Sequence, residues 1–121
     1  MSKKILVVDD DAMNLKMAEF ILKKKDYLVL TAKSGLECLE ILEAEDVELV
    51  LLDIEMPEMN GMETLEKIRA NRKSAGLPVM FLTATVDSES VAAAEKLGAS
   101  DFIKKPFLPQ DLMDRVEKII G

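Results

Sequence analysis

The sequence predicts one α/β domain built on a five-stranded parallel sheet with five helices on its two faces. Short apolar runs alternate five times with stretches of helical periodicity, which is typical of parallel strands connected by helices. The chain has 121 residues, the usual size of one domain. Residues 1–121 are therefore expected to form a single folding unit.

The first half of the chain supplies three strands and two helices. An apolar run at residues 5–8 predicts a buried strand, and a helix is expected over about residues 12–25. A short strand follows at 27–31, and a third apolar run ends at Asp53. Ser34 and Glu37 form a capping-box pattern at the start of the second helix. The side chains expected to face the core are Met13, Met17, Phe20 and Ile21 in the first helix and Leu36, Leu39, Ile41 and Leu42 in the second.

The second half repeats the alternation. Asn60 is expected to cap a third helix, and a fourth apolar run at residues 79–82 predicts another buried strand. Asp87 and Gly98 are expected to bound a fourth helix, and a fifth strand is expected at residues 101–105. Pro109 suits the first position of a last helix. The expected inward residues are Leu65, Ile68, Met80, Val91, Ala94, Leu97, Leu112, Val116, Ile119 and Ile120.

The strand order follows from which strands are most apolar. The first, third and fourth runs are wholly or mostly apolar and belong inside the sheet, whereas the short, charged second and fifth suit its edges. This distribution fits the flavodoxin-like order 2-1-3-4-5. Its switch point lies between the first and third strands, where open α/β sheets bind their ligands.

Polar residues follow the strands at the edge where that switch point lies. Asp9 and Asp10 leave the first strand, Asp53 the third, Thr83 the fourth and Lys105 the fifth. Three neighbouring carboxylates repel, at a cost of up to ~4 kcal/mol for each close pair. Lys105 and a hard divalent cation, Mg²⁺ or Mn²⁺, are the two candidates that offset this repulsion.

Acid, metal, hydroxyl and ammonium together suit phosphoryl transfer. A carboxylate can act as the nucleophile and form an aspartyl phosphate, while cations and a hydroxyl stabilise the phosphoryl oxygens. Asp53, central in the group, is the expected nucleophile. The chain contains no histidine, so imidazole chemistry within this chain is excluded.

The composition of the chain limits the partners and the cellular location that we expect for this chemistry. The net charge of -7 makes nucleic acid a poor direct partner. No apolar run is long enough to span a bilayer and no signal peptide precedes the first strand, so we expect a cytoplasmic protein without membrane association. The only cysteine, Cys38, is expected to be a buried free thiol.

Four short motifs resemble those of the bacterial response-regulator receiver domain, the chemotaxis-regulator-like phosphoacceptor module. The resemblance covers essentially the whole chain, and each motif falls at a predicted strand exit. They are VDD at residues 8–10, LDIEMP at 52–57 with Gly61, LTA at 82–84 and KPF at 105–107.

The resemblance implies a specific use of these residues. Asp53 would accept a phosphoryl group from a phosphohistidine on a sensor histidine kinase or a histidine phosphotransfer protein. Mg²⁺ would be held by Asp10, Asp53 and the backbone carbonyl of Glu55, with Asp9 assisting. Lys105 would contact the phosphoryl group and precede a cis proline bond. Such a domain is not an enzyme in its own right, although it assists its own phosphorylation and dephosphorylation.

The resemblance also implies a switch. Thr83 would move to the phosphate and Phe102 would swing inward, which would remodel the face formed by the fourth helix, fifth strand and fifth helix. That face would act on a downstream effector or an attached output domain. Asp101 and Arg115, expected on this face, hint at a phosphorylation-dependent homodimer. Glu55 and Thr85 are expected to tune the lifetime of the phosphate.

Other interpretations remain open at this point. A degenerate receiver would serve only as a protein-interaction module. A haloacid-dehalogenase-type phosphohydrolase would need a carboxylate and then Thr or Val two residues after the nucleophile, but Met56 and Pro57 follow Glu55. A nucleotide- or flavin-binding module would place phosphate beside the acidic residues 9–11, which would repel it. Asp11 is expected to cap the first helix, and Asn14 to be solvated.

Overall fold

A computed structural model describes residues 3–84 and 87–120, which form an open parallel sheet flanked by helices. Strands and helices alternate along the chain without exception in this part. In order they are β1 (Lys4–Val8), α1 (Ala12–Lys23), β2 (Leu28–Ala32), α2 (Gly35–Ala44), β3 (Leu49–Asp53), α3 (Gly61–Ala70), β4 (Val79–Thr83), α4 (Ser88–Lys96), β5 (Asp101–Lys104) and α5 (Pro109–Ile120).

The strand order is β2-β1-β3-β4-β5, and every pair is parallel, which confirms the predicted topology. The register decides which residues meet at the carboxyl edge. Val8 pairs with Leu52, so the next residue of each strand, Asp9 or Asp53, lies at the same level of the sheet.

The hydrophobic core lies in two layers, one on each face of the sheet. Strands β1, β3 and β4 are almost entirely buried, whereas β2 and β5 are partly exposed at the edges. Helices α1 and α5 cover one face, and α2, α3 and α4 cover the other. The buried helix residues are Leu15, Ala18, Ile21, Leu22, Leu112, Met113 and Val116 in the first layer and Cys38, Leu42, Leu65, Ile68 and Ala94 in the second.

The predicted inward face of α1 is wrong for three of its four members. Met13, Met17 and Phe20 are 71%, 51% and 67% exposed, and only Ile21 is buried. A second apolar row, which begins at Leu15, faces the sheet instead. Leu36 is also exposed, contrary to the prediction for α2.

The helix caps explain where the helices begin. Asp11 accepts a hydrogen bond from the Met13 amide, and Asn60 forms a complete capping box with Glu63, each as side-chain chemistry favours. The box predicted at Ser34 is only half formed. Ser34 accepts from the Glu37 amide, but the Glu37 carboxylate accepts from the Lys33 amide rather than from Ser34.

Several boundaries differ from the prediction by one or two residues. β2 begins and ends one residue later than expected, α1 ends at Lys23, and β5 ends at Lys104. None of the helices described within residues 3–84 and 87–120 has the length and apolar character needed to cross a bilayer.

Candidate phosphoacceptor site

Strands β1 and β3 deliver two buried carboxylates to the carboxyl edge of the sheet. Asp9 is 1% exposed and Asp53 is 4% exposed, so each needs hydrogen-bond partners to remain charged. Strands β4 and β5 add a second pair of residues. Thr83 pairs with Lys104 in the ladder, which puts Lys105 one step beyond the end of β5.

Asp53 contacts both Lys105 and the backbone of Glu55. Its Oδ2 lies 3.3 Å from the Lys105 Nζ, and its Oδ1 accepts a hydrogen bond of 3.2 Å from the Glu55 amide. Burial raises the pKa of Asp53 from 3.8 to about 6, against the lowering effect of the Lys105 charge and together with the raising effect of Asp9. Asp53 is therefore an anion at neutral pH that is poorly stabilised in the absence of a further cation.

Lys105 bridges the two buried acids. Its Nζ donates to the Asp9 Oδ2 at 2.7 Å in addition to its contact with Asp53. Burial by itself lowers the pKa of Lys105, but the hydrogen bond to Asp9 and the charges of both acids outweigh it, so this pKa is raised. The Lys105 amide also donates to the Thr83 carbonyl at 2.7 Å, and the Lys105–Pro106 peptide bond is cis.

Asp9, Asp10 and Asp53 form an oxygen-rich cluster that fits a divalent cation. One oxygen from each lies within 4.8 Å of the others, and Asp10 is exposed to solvent while its two neighbours are buried. Three carboxylates against the single charge of Lys105 leave two negative charges to be neutralised. Hard oxygen ligands with room for water are what Mg²⁺ prefers.

The cluster opens into a cavity of about 310 Å³, large enough for a phosphoryl group with ordered water. A larger cavity of about 380 Å³ lies at the start of α2 and lacks this convergence of acids and a cation among its lining residues. The residues that line the acidic cavity are Asp9, Asp10, Asp11, Asn14, Asp53, Glu55, Ala84 and Lys105.

The loop after β3 is held close to the end of that strand. The Gly61 amide donates to the Ile54 carbonyl at 2.8 Å. A Cβ at Gly61 would lie 2.4 Å from the Asp53 carbonyl oxygen, a distance that no side chain could accommodate without moving the backbone. Gly61 therefore allows the loop that carries Glu55 to fold back over Asp53. The Glu55 side chain itself is exposed at the cavity rim.

The predicted switch residues Thr83 and Phe102 are not among the residues that line the cavity. Thr83 is buried, at 1% exposure, and does not line the cavity. Phe102 is partly buried, with its ring centroid 5.5 Å from that of Phe81. Thr85 lies outside the described residues.

Sequence reasoning missed Asn14, which is not simply solvated as expected. It is partly buried, and its Nδ2 donates to the Asp9 Oδ2 at 3.2 Å. Asn14 is the third residue after the cap Asp11, and side chains there point back toward the preceding loop. A polar residue at this position, after an acid pair, was the available signal.

Asp101 and Arg115 pair with each other within one chain. Two oxygens of Asp101 accept from the Arg115 Nη1 at 2.9 Å, and that atom also donates to the Phe102 carbonyl. Arg115 Nε donates to Asp111 on α5. The arginine thus joins β5 to α5 beside Phe102.

Comparison with known proteins agrees with this geometry. A family profile described as the response regulator receiver domain matches residues 5–117. A chemotaxis protein CheY homolog from Campylobacter jejuni is 36% identical over 120 residues, which cover 98% of this chain and 92% of the relative. The fold superposes on the chemotaxis protein CheY4 of Vibrio cholerae with a TM-score of 0.94 at 27% identity, covering 98% of this chain and 99% of the other.

A second kind of relative is longer. A transcriptional regulatory protein CpxR homolog from Haemophilus influenzae is 40% identical over 117 residues, which cover 97% of this chain but only 50% of the relative. The same unit thus occurs nearly alone in one relative and as half of a longer protein in another. With the profile matching almost the whole chain and carboxylates, lysine and threonine at the strand ends, this chain belongs to the response-regulator receiver-domain family of two-component signalling proteins.

Proposed function

We propose that this receiver domain is a phosphorylation-activated switch whose Asp53 accepts a phosphoryl group from a phosphohistidine on a sensor kinase or a histidine phosphotransfer protein. The observation that carries the proposal is the Asp53 carboxylate, buried at the end of β3 yet open to an acidic cavity that also contains one ammonium group. A buried ionisable group with a perturbed pKa and a specific charged partner in a cleft is a candidate functional residue.

The proposed Mg²⁺ ligands are Asp10, Asp53 and the carbonyl of Glu55, with Asp9 assisting. The support is the spacing of the three carboxylates and their all-oxygen chemistry. When bound, the cation neutralises phosphoryl oxygens as charge develops on them. The chain's own residues do the rest of the positioning.

In the proposed transfer, an oxygen of Asp53 attacks phosphorus in line with the departing imidazole nitrogen. The P–N bond breaks as the P–O bond forms, and the imidazole takes up a proton from solvent. The Lys105 ammonium, already 3.3 Å from Asp53 Oδ2, contacts a phosphoryl oxygen, and the Thr83 hydroxyl donates to another. Such pre-positioned donors act without reorganising at the moment of reaction.

The proposed output is a change in the face formed by α4, β5 and α5. Helix α4 is held loosely, since Ala94 is the one buried residue among those described in it. Phe102, on the adjacent strand, is only partly buried and can gain burial by turning inward as Thr83 moves. A local charge event would in this way bias a weakly packed element.

The proposed docking surface for the phosphodonor is the exposed apolar row of α1, formed by Met13, Met17 and Phe20. This row lies on the helix that begins directly after the acidic cluster. Exposed apolar residues arranged in a row commonly mark protein-binding surfaces. The downstream partner, an effector or an attached output domain, would contact a different face.

Glu55 and Thr85 are proposed to tune the phosphate lifetime. The support for Glu55 is its exposed position at the cavity rim, where it meets water that approaches the phosphoryl group. The decay of the phosphorylated form in Glu55→Ala, compared with the wild type, tests this. We further propose the cytoplasm as the location, because the single buried cysteine suits a reducing compartment.

Phosphorylation by a small donor tests the central proposal. Protein incubated with acetyl phosphate and Mg²⁺ is expected to gain the mass of one phosphoryl group, and Asp53→Ala is expected to gain none. A wild type that gains no mass would instead support a receiver that acts only as a protein-interaction module. A gain that persists in Asp53→Ala would assign the phosphate to another residue.

A further inference from the structure

We propose that Asn14 is a positioning residue for phosphorylation, whose side-chain amide holds the Asp9 carboxylate in place when Lys105 turns toward the phosphoryl group on Asp53. This inference rests on the proposed function and assigns a role to a residue outside the set of acids, threonine and lysine at the strand ends. Three structural observations carry it.

The first observation is that Asp9 is held at both carboxylate oxygens. Its Oδ1 accepts from the Asp11 amide at 2.9 Å, while its Oδ2 accepts from both Lys105 Nζ at 2.7 Å and Asn14 Nδ2 at 3.2 Å. With 1% exposure, Asp9 cannot replace a lost donor with bulk water. Its orientation therefore depends on these three groups.

The second observation is that Lys105 is shared. Its Nζ contacts both Asp9 and Asp53, at 2.7 and 3.3 Å. Formation of the acyl phosphate at Asp53 adds anionic oxygens on the Asp53 side of the ammonium, and these attract it away from Asp9. The charge-assisted hydrogen bond from Lys105 to Asp9 is therefore weakened during phosphorylation, when the carboxylates still have to keep their positions.

The third observation is that Asn14 can supply the missing donor without altering the charge of the cluster. It is fixed in the first turn of α1, which Asp11 caps, and it lines the same cavity as both acids. A neutral amide does not compete with a divalent cation for the carboxylates, whereas a second ammonium would. Asn14 thus keeps Asp9 oriented while the cation site stays available.

Two variants at this position separate hydrogen bonding from shape. Asn14→Ala removes the donor, and Asn14→Asp keeps the shape but replaces the amide donor by an acceptor with a charge. Loss of a group that orients a metal ligand typically costs roughly 10-fold or more in metal affinity or activity. We expect both variants to be phosphorylated by acetyl phosphate roughly 10-fold more slowly at saturating Mg²⁺. The exposed Lys16 on the same helix provides the control Lys16→Ala, which should keep the wild-type rate.

Mg²⁺ binding to the unphosphorylated protein gives a readout that a purely structural role would not change. Calorimetric titration should show weaker Mg²⁺ binding in Asn14→Ala than in Lys16→Ala. If wild-type rate and Mg²⁺ affinity are retained in Asn14→Ala, or the wild-type rate in Asn14→Asp, the positioning role is overturned while the proposed function stands. A wild type that takes up no phosphate overturns both.

Discussion

At the residue scale, the Asp53 carboxyl lies in an environment that disfavours its charged form. Burial is the largest reason that the pKa of Asp53 is raised to about 6. Lys105 relieves part of this cost but divides its charge between Asp53 and Asp9. A buried carboxylate that is incompletely neutralised in this way is stabilised most by the arrival of a cation.

This environment predicts a pH-dependent gain in stability for Asp53→Asn. A carboxyl with a raised folded-state pKa contributes stability that is present below its ordinary pKa of 3.8 and is lost as pH rises through about 6. In metal-free buffer the variant should therefore exceed the wild type by about 1–3 kcal/mol at pH 8. The two should converge below about pH 3, where the carboxyl is largely neutral in both states.

Thermal unfolding followed across this pH range measures the effect. The exposed Glu66 on α3 provides a control, because Glu66→Gln should give the same stability as the wild type at both ends of the range. An Asp53→Asn protein less stable than the wild type at pH 8 would show that Lys105 fully compensates the buried charge.

At the scale of elements, Arg69 on α3 fixes the far end of α4. Its guanidinium donates to the carbonyls of Leu97 and Gly98 at the end of α4, at 2.7 and 3.0 Å. It also donates to Leu77, before β4, at 2.6 Å. A cation at a helix C-terminus is favourable as well. α4 is thus anchored at its C-terminal end, while its side chains bury little.

Removal of this anchor should destabilise the fold. Arg69→Ala leaves several carbonyls without their donor, so we expect the free energy of unfolding to fall by about 2–4 kcal/mol. Lys67→Ala, at an exposed position on the same helix, should change it by less than ~0.5 kcal/mol. Urea denaturation compares the two, and equal losses would mean that Arg69 contributes no more than an exposed side chain.

The proposed role of the apolar row on α1 predicts that its loss changes the rate of phosphorylation by a protein donor but not by acetyl phosphate. Met17→Ala combined with Phe20→Ala removes exposed surface, so stability should change by less than ~1 kcal/mol. Phosphotransfer from a histidine-phosphorylated protein should slow, because the docking surface is lost, whereas the rate with acetyl phosphate should stay the same.

Leu36→Ala, on the opposite layer and 62% exposed, is the matched control for that experiment and should leave both rates unchanged. If the substitutions in α1 do not slow phosphotransfer from the protein donor, the docking surface lies elsewhere.

The strands and helix α1 differ in how well the sequence alone predicts them. Apolar runs bounded by acids and prolines located all five strands, and the more apolar runs indicated which three are internal. Helix α1, however, carries two apolar rows with helical spacing, one through Met13, Met17 and Phe20 and one through Leu15, Ala18 and Leu22. Only packing against β1 and α5 selects the second row. The sequence marks Asn14 as a polar residue close to the acids, but its hydrogen bond to Asp9 depends on the rotation of the same helix, so the sequence alone does not predict that contact.

At the scale of the whole molecule, the Asp101–Arg115 pair bears on assembly. In one chain the two residues already satisfy each other and tie β5 to α5. A dimer that used them would exchange these bonds for equivalent ones with a partner chain. We propose that phosphorylation shifts this balance by moving Phe102, whose carbonyl Arg115 also contacts.

Sedimentation across a concentration series tests the proposed dimer. Beryllofluoride with Mg²⁺, as a stand-in for the phosphoryl group, should raise the fraction of dimer, and Arg115→Ala should reduce that response. If the protein stays monomeric with and without beryllofluoride, the proposed dimer is contradicted and the output acts through other partners.

Identification of the phosphorylated residue decides whether Asp53 is the phosphoacceptor. Sodium borohydride reduces an aspartyl phosphate to homoserine, so peptide mapping after treatment with a phosphodonor, Mg²⁺ and borohydride marks the acceptor. We expect homoserine at position 53, and we expect it to be absent when the donor or Mg²⁺ is omitted. Homoserine at position 9 or 10 instead, 5-hydroxynorvaline at position 55, or no reduced residue at all would contradict this assignment.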